Sequence, residues 1–451
     1  MTLDAVLLAR IQFAFTISFH IIFPAITIGL AGFLAFVEWR YIKTKQAVYA
    51  TIYRFWVKIF AICFGLGVVS GVVMSYQFGT NWSVFSDRVG NVIGPLLAYE
   101  VLTAFFLEAS FLGIMLFGWG RVSQRMHAIA TTIVAVGTVI SGFWIVAANS
   151  WMQTPQGFRI GDDTLLYPVD WISIIFNPSM PYRFAHMIIA AYLTTGFIIL
   201  GVGAYYYWQR RFESVAKPMM RIAIIALAIA APLQLVVGHS HGQNTALFQP
   251  TKVAAMEGNW VAGPHKPLHL FGVPNTADER LDYAISVPYL SSILVTGKPD
   301  GVVPGLTDVP PLDRPPVGIV FWSFRGMVGI GMTMIAVALI GLVLLIKQQL
   351  ATARWFHALA IAMAPTGIIA VLLGWFVTEV GRQPYSVYKV LRTADSISPV
   401  VAESVAFAAL VFIIIYTLLF GAGVYYITRL IKTGPSEIDS SVSYRKIRTT
   451  L

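Results

Sequence analysis

The chain has 451 residues, 57% of them hydrophobic and only 12% charged, with a formal net charge of +10. Soluble domains carry about 25% charged residues, so the composition excludes a water-soluble protein and gives no reason to invoke nucleic acid. The single cysteine, Cys63, excludes an internal disulfide and a multi-cysteine iron–sulfur site, and reads as a small buried apolar residue.

Nine apolar runs are long enough to cross a hydrocarbon core of ~30 Å, which predicts an all-α integral membrane protein. Span 1 covers roughly 11–37 and carries His20. It is too long for a signal peptide and lacks a basic leader and a small-residue cleavage site, so it is expected to stay in the membrane. Span 2 (roughly 53–76) holds Cys63, and span 3 (roughly 95–119) holds Glu100 and Glu108. Span 4 (roughly 127–149) contains Ser141, and span 5 (roughly 183–207) has His186 near its start. After span 6 (roughly 219–238) comes the one long polar stretch, 239–316, with His239, His241, Lys252, Glu257, His265 and His269. A loop of this length is usually functional or disordered. Span 7 (317–346) brings Arg325 and Met327; span 8 (roughly 355–378) runs into Glu379 and Arg382; span 9 covers roughly 402–428. Residues 433–451 form a short tail, and the rest is one membrane domain with no internal repeat.

Basic residues cluster in alternate connections: Arg40, Lys43 and Lys45 after span 1, Arg121 and Arg125 after span 3, Arg210 and Arg211 after span 5, Arg429 and Lys432 after span 9. The positive-inside rule then puts the N-terminus outside, the C-terminus in the cytoplasm and the 239–316 loop on the outer face. At ~1.5 Å per residue, His186 falls within about a turn of that face, with His20 and Met327 each about 15 Å down. Glu100 is expected near the outer end of span 3, with Glu108 about 12 Å deeper. Ionisable groups at membrane depth pair, ligate a metal or line a polar path. With one cysteine and few histidines, the metal sites these residues could build are haems held by His, Met or carboxylate. Singly, ordinary roles stay open. Met327 could be packing, His20 a satisfied core histidine, His186 an interfacial one, Glu379 with Arg382 an i,i+3 ion pair, and Lys252 with Glu257 a solvated pair.

Four segments go further: Gly374-Trp375-Phe376-Val377-Thr378-Glu379-Val380-Gly381-Arg382-Gln383-Pro384, Gln77-Phe78-Gly79-Thr80-Asn81-Trp82, Glu100 with Phe105-Phe106-Leu107-Glu108, and Asn149-Ser150-Trp151-Met152-Gln153. Together they closely resemble subunit I of cytochrome bd-type quinol oxidases, in helix order from residue 1 to about 430. The resemblance implies a respiratory terminal oxidase that oxidises ubiquinol or menaquinol at the outer side, reduces O2 to water and generates a proton gradient. It implies His186 and Met327 as axial ligands of a low-spin haem b. It implies His20 and Glu379 as iron ligands of a two-haem oxygen site, a high-spin haem b with haem d or a further haem b, and Glu100 close by. Arg325, Trp375 and Arg382 match positions near haems. Lys252 and Glu257, in Thr251-Lys252-Val253-Ala254-Ala255-Met256-Glu257-Gly258, match the quinol-loop motif. Implied partners are a membrane subunit II of homologous fold and, as a further option, a small single-helix subunit, in the cytoplasmic membrane of a bacterium or archaeon. Protons drawn from the cytoplasm would need a relay, for which Glu108 and Ser141 are the candidates. Two departures stand out: Tyr385 ends the signature where many relatives have Trp, and the loop is of the short type, which includes cyanide-insensitive members. The competing readings are a proton-coupled transporter using Glu100 and Glu108, and a diheme quinone-linked cytochrome b serving another acceptor.

Overall fold

The structure is a computed structural model that describes residues 4–436. Among these, nine helices are long and apolar enough to cross a membrane, matching the number of apolar runs. The helices outrun the apolar segments at both ends. Span 1 is Ala5–Thr44, begun by Asp4, whose carboxylate accepts from the Val6 amide. Span 2 is Ala47–Thr80 and span 3 Ser83–Phe117. Span 4, Gln124–Gln153, is capped by Ser123. Span 5 is Met180–Trp208, span 6 Glu213–Phe248, span 7 Val317–Ile346 and span 9 Ala402–Thr433. Span 8 is broken, Arg354–Met363 then Thr366–Val380, with Pro365 at the break, where proline denies the helix a donor.

Two expectations change. The stretch 239–316 is not loop throughout: span 6 continues to Phe248, so His239 and His241 sit on a helix. The remainder folds as a short helix (Pro250–Glu257), an antiparallel hairpin of Leu268–Asn275 with Arg280–Val287, and a second short helix, Leu290–Thr296. Glu100 is not near the end of span 3. That helix starts at Ser83, which puts Glu100 roughly 25 Å along it at ~1.5 Å per residue. The same extension puts His20 about 22 Å along span 1 from its start at Ala5. Of the tail, residues 437–451 lie outside the described residues.

Span 5 is central. Gly29 of span 1 sits where a Cβ would lie 2.7 Å from the Ala191 carbonyl, and Gly367 of span 8 where one would lie 2.5 Å from Thr194 Cα. Small residues let these backbones close, and the Thr195 hydroxyl donates to the Ile26 carbonyl across the seam at 2.8 Å. At the end of the bundle away from the hairpin, His127 Nδ1 meets Glu38 Oε1 at 2.5 Å, both side chains at most 2% exposed. Thr131 donates to Glu38 Oε2 at 2.7 Å, and Tyr53 Oη lies 3.0 Å from Thr131 Oγ1. This network ties spans 1, 2 and 4. Glu38→Ala leaves the buried histidine and Thr131 short of a hydrogen-bond partner and is expected to cost about 1–3 kcal/mol, read as a lower thermal midpoint of the purified complex. A midpoint equal to wild type would mean that the network carries no stability.

Candidate functional site: one cavity between the spans

A cavity of about 1540 Å³ runs through the bundle and gathers nearly every candidate residue: His20, Glu100, Glu108, Ser141, His186, Lys252, Glu257, Arg325, Met327, Trp375, Glu379 and Arg382 all line it. His186, Met327 and His20 each stand in a gap cleared by a glycine on a neighbouring helix. A Cβ on Gly238 would sit 3.0 Å from His186 Cε1, one on Gly374 3.0 Å from Met327 Sδ, and one on Gly71 3.2 Å from His20 Cε1. His20 Nδ1 is fixed by Ser70 Oγ at 3.0 Å, the kind of outer contact that orients a ligating imidazole. His186 is held through its own carbonyl by Gln234 Nε2 at 3.1 Å, and its Nδ1 is buried with no hydrogen-bond partner. Its ring meets His241 edge to face at 5.5 Å.

Glu379 closes span 8. Its Oε1 accepts from Asn149 Nδ2 (3.1 Å) and Gln153 Nε2 (3.2 Å), and its Oε2 from Arg382 Nη2 (2.5 Å). The i,i+3 pair of Glu379 and Arg382 therefore exists, but as part of a larger network. Arg382 Nε donates to the Tyr385 carbonyl at 3.2 Å, while its Nη1 is buried and unpartnered. Arg183 donates to Asn149 Oδ1, and Lys252 Nζ to Gln153 Oε1 at 2.7 Å. Three basic side chains and one carboxylate thus share this corner.

Lys252 and Glu257 are not a solvated pair. Both are buried, on the short helix Pro250–Glu257, which Gly258 ends at φ 66, a conformation glycine adopts without strain. Gly381 makes room for the lysine stem: a Cβ there would lie 2.8 Å from Lys252 Cγ. Burial, with Arg183 adding repulsion, pushes the Lys252 ammonium well below its ordinary range. Burial raises the Glu257 carboxyl, and Arg325 opposes that rise. The Arg325 guanidinium is turned to the loop, donating to the His269 carbonyl (2.5 Å), the Met256 carbonyl (3.0 Å) and Glu257 Oε2 (3.5 Å), and lying over Phe321 and Phe324.

On span 3, Val101–Phe105 forms a π-helical turn directly after Glu100. In an unbroken α-helix residues eight apart diverge by about 80° at 3.6 residues per turn. A π-bulge absorbs one residue, so Glu100 and Glu108 turn to one side and both reach the cavity. Ser141 Oγ donates to Glu100 Oε1 at 2.7 Å. Glu108 lies beside Gly137 instead, with Oε1 buried and unpartnered.

These residues fit haem. The glycine slots, the orphaned His186 nitrogen and the unpartnered Arg382 Nη1 beside an excess of basic groups suit axial ligation and the carboxylates of a haem edge. Sequence reasoning missed Glu38, His127, Arg183 and the bonds made by the two amides. Glu38 and His127 fall at the very edges of the apolar runs 11–37 and 127–149, where they look interfacial. Arg183 opens its run in the same way.

The chain matches the family model described as cytochrome bd terminal oxidase subunit I over residues 8–435. It is 35% identical to cytochrome bd-II ubiquinol oxidase subunit 1 of Escherichia coli (strain K12), covering 97% of this chain and 98% of that one. It is 37% identical to cytochrome bd ubiquinol oxidase subunit 1 of Bacillus subtilis (strain 168), covering 96% and 94%. Its fold is similar to the solved structure of bd oxidase from Geobacillus thermodenitrificans, with a TM-score of 0.90 and 32% identity, over 96% of this chain and 99% of that one.

Proposed function

This chain belongs to the cytochrome bd terminal oxidase subunit I family, and from that premise we propose how its residues divide the work of the enzyme. It is a haem-bearing membrane subunit of a respiratory quinol:oxygen oxidoreductase, which displaces the transporter and diheme cytochrome readings. His186 and Met327 hold a low-spin haem b. His20 and Glu379 hold the irons of the oxygen site, a high-spin haem b with haem d or a further haem b, and Arg382 and Trp375 line its edge. When bound, the haems supply one-electron transfer and an iron with a free position for oxygen.

Lys252 and Glu257 bind and deprotonate the quinol. The observation that carries this reading is Arg325, which contacts Glu257 from a position two residues before Met327. The quinol-side acid is thereby fixed to the helix of the low-spin ligand. The basic connections support an N-terminus on the outer side, a cytoplasmic C-terminus and a hairpin-bearing 249–316 connection that faces outward. Quinol protons would then leave on that side, and the tail beyond residue 433 would enter the cytoplasm of a bacterium or archaeon. The exposed apolar face of span 9, with Phe407, Leu410, Ile414 and Leu418, suits lipid or a membrane subunit II, with a small single-helix subunit as a further option. The test is a reduced-minus-oxidised spectrum with extracted haem analysis, alongside quinol-driven oxygen uptake. A spectrum without a low-spin haem b would overturn the assignment.

Glu108, with Glu100 and Ser141 beyond it, relays protons toward the oxygen site. Glu108→Gln keeps the shape and removes the titratable proton. It is expected to slow turnover per haem several-fold, with haem content less affected than in Glu379→Ala. Haem lost in proportion to activity, at normal turnover per haem, would make Glu108 a structural residue instead.

A further inference from the structure

Asn149 and Gln153 lie four residues apart on one face of span 4 and make the same pair of contacts. Each donates its amide N–H to Glu379 Oε1, at 3.1 and 3.2 Å. Each accepts a basic side chain on its amide oxygen, Arg183 on Asn149 and Lys252 on Gln153. Gln249 Nε2 adds donations to the Gln153 carbonyl (2.9 Å) and to its Oε1 (3.0 Å). The amide orientations are forced: turned over, an amide oxygen would face a carboxylate and an NH2 would face a cation. An ionised acid at either position would keep the contact to the cation and lose the donation to Glu379.

We propose that Asn149 and Gln153 are positioning residues that hold Arg183 and Lys252 one amide away from Glu379, and that Gln153 thereby couples the quinol-side lysine to the oxygen-site carboxylate. The proposal rests on the assignments of Lys252 to quinol and of Glu379 to iron. A buried lysine and glutamate in direct contact would neutralise each other and lock into one arrangement, because neither has water to fall back on. One amide between them satisfies the hydrogen bonding of both ends. The lysine keeps donors for a quinol oxygen, and Glu379 Oε2, which takes one donor from Arg382, keeps a lone pair for a metal while Oε1 takes both amides. The bridge is a hydrogen-bond chain whose two inner members carry further bonds, Gln153 from Gln249 and Glu379 from Asn149 and Arg382, so a change at one end is felt at the other. The Asn149-Ser150-Trp151-Met152-Gln153 motif gains a physical reason on this view: its first and last residues are the two spacers.

The test uses the intact oxidase complex with Gln153→Leu and Gln153→Glu, and three measurements: KM for a short-chain quinol, the absorption band of the oxygen-site haem, and the haem-to-protein ratio. The leucine variant cuts both contacts. The glutamate variant keeps the shape, draws Lys252 into a direct pair and puts a like charge against Glu379. In the leucine variant the quinol KM is expected to rise about tenfold, the effect of losing one charge-assisted hydrogen bond, and in the glutamate variant by about the same factor, because the direct pair draws the ammonium away from the quinol. The oxygen-site band should shift with it while haem stoichiometry is kept. If one variant fails to assemble, the other decides. Movement at only one end, at neither, or loss of haem in both variants would overturn the coupling. Lys252→Ala and Glu379→Ala are measured in parallel. If Lys252→Ala leaves quinol kinetics unchanged, or Glu379→Ala leaves the band unchanged, the underlying assignments fail, whatever Gln153 does. If both behave as assigned, a one-ended Gln153 phenotype sinks the coupling alone.

Discussion

Replacing His186 by alanine, or Met327 by leucine, is expected to abolish the low-spin haem b signal and quinol oxidase activity, while part of the oxygen-site haem complement persists. The two residues come from different helices, spans 5 and 7, and meet only through the cavity they both line. A haem iron with two protein ligands loses its low-spin character when either is removed, and leucine keeps the volume of methionine without its sulfur. The glycines opposite offer a gentler version. Alanine at Gly238 or Gly374 would place a methyl 3.0 Å from His186 Cε1 or Met327 Sδ, so the ligand must yield by a few tenths of an ångström. The low-spin band should shift in these variants without disappearing. A normal low-spin spectrum in both His186→Ala and Met327→Leu would remove the assignment.

How much of this was legible in the sequence follows from what each signal depends on. Nine spans could be counted because a run of about 20 apolar residues is seldom found outside a membrane helix. Their ends could not be placed, because helix outside the hydrocarbon core is amphipathic and leaves no hydropathy signal. That is why Glu100 moved to the middle of span 3 and His239 and His241 from loop to helix. The π-helical turn after Glu100 is a one-residue insertion with no compositional mark, so the facing of Glu100 and Glu108 was out of reach. The candidate site was more legible than its wiring. His20, Glu100, Glu108 and Glu379 stood out as ionisable groups in or against apolar runs, and Lys252 and Glu257 were reached through their motif. Asn149 and Gln153 carry no charge, so depth in an apolar run could not single them out. The Ser141 contact with Glu100 rather than Glu108 depends on helix phase, which the bulge resets.

Lys252→Ala and Glu257→Ala are expected to lower quinol-driven oxygen uptake by about 10²-fold, the contribution of a positioned acid–base group, while uptake with an artificial reductant that bypasses the loop is largely kept. Glu257 must be ionised to accept a quinol proton. Burial raises its carboxyl above the ordinary range and Arg325 limits the rise, so the acid limb of the quinol oxidase profile should fall at a higher pH than a solvated glutamate would give. Activity rises with pH through that limb, because the base form accumulates as the proton leaves. Glu257→Gln should remove the limb, leaving a low rate that no longer tracks protonation there. Arg325→Leu takes away the cation bonded to Glu257 and should move the limb further up in pH, since the largest effect opposing the cost of burying the carboxylate is then lost and only the Ser291 hydrogen bond remains. Burial also lowers the Lys252 ammonium, so it releases a proton more readily than an exposed lysine would. Equal losses with both electron donors would assign Lys252 and Glu257 to holding the loop in place, and an acid limb that survives in Glu257→Gln would place the proton acceptor elsewhere in the cavity.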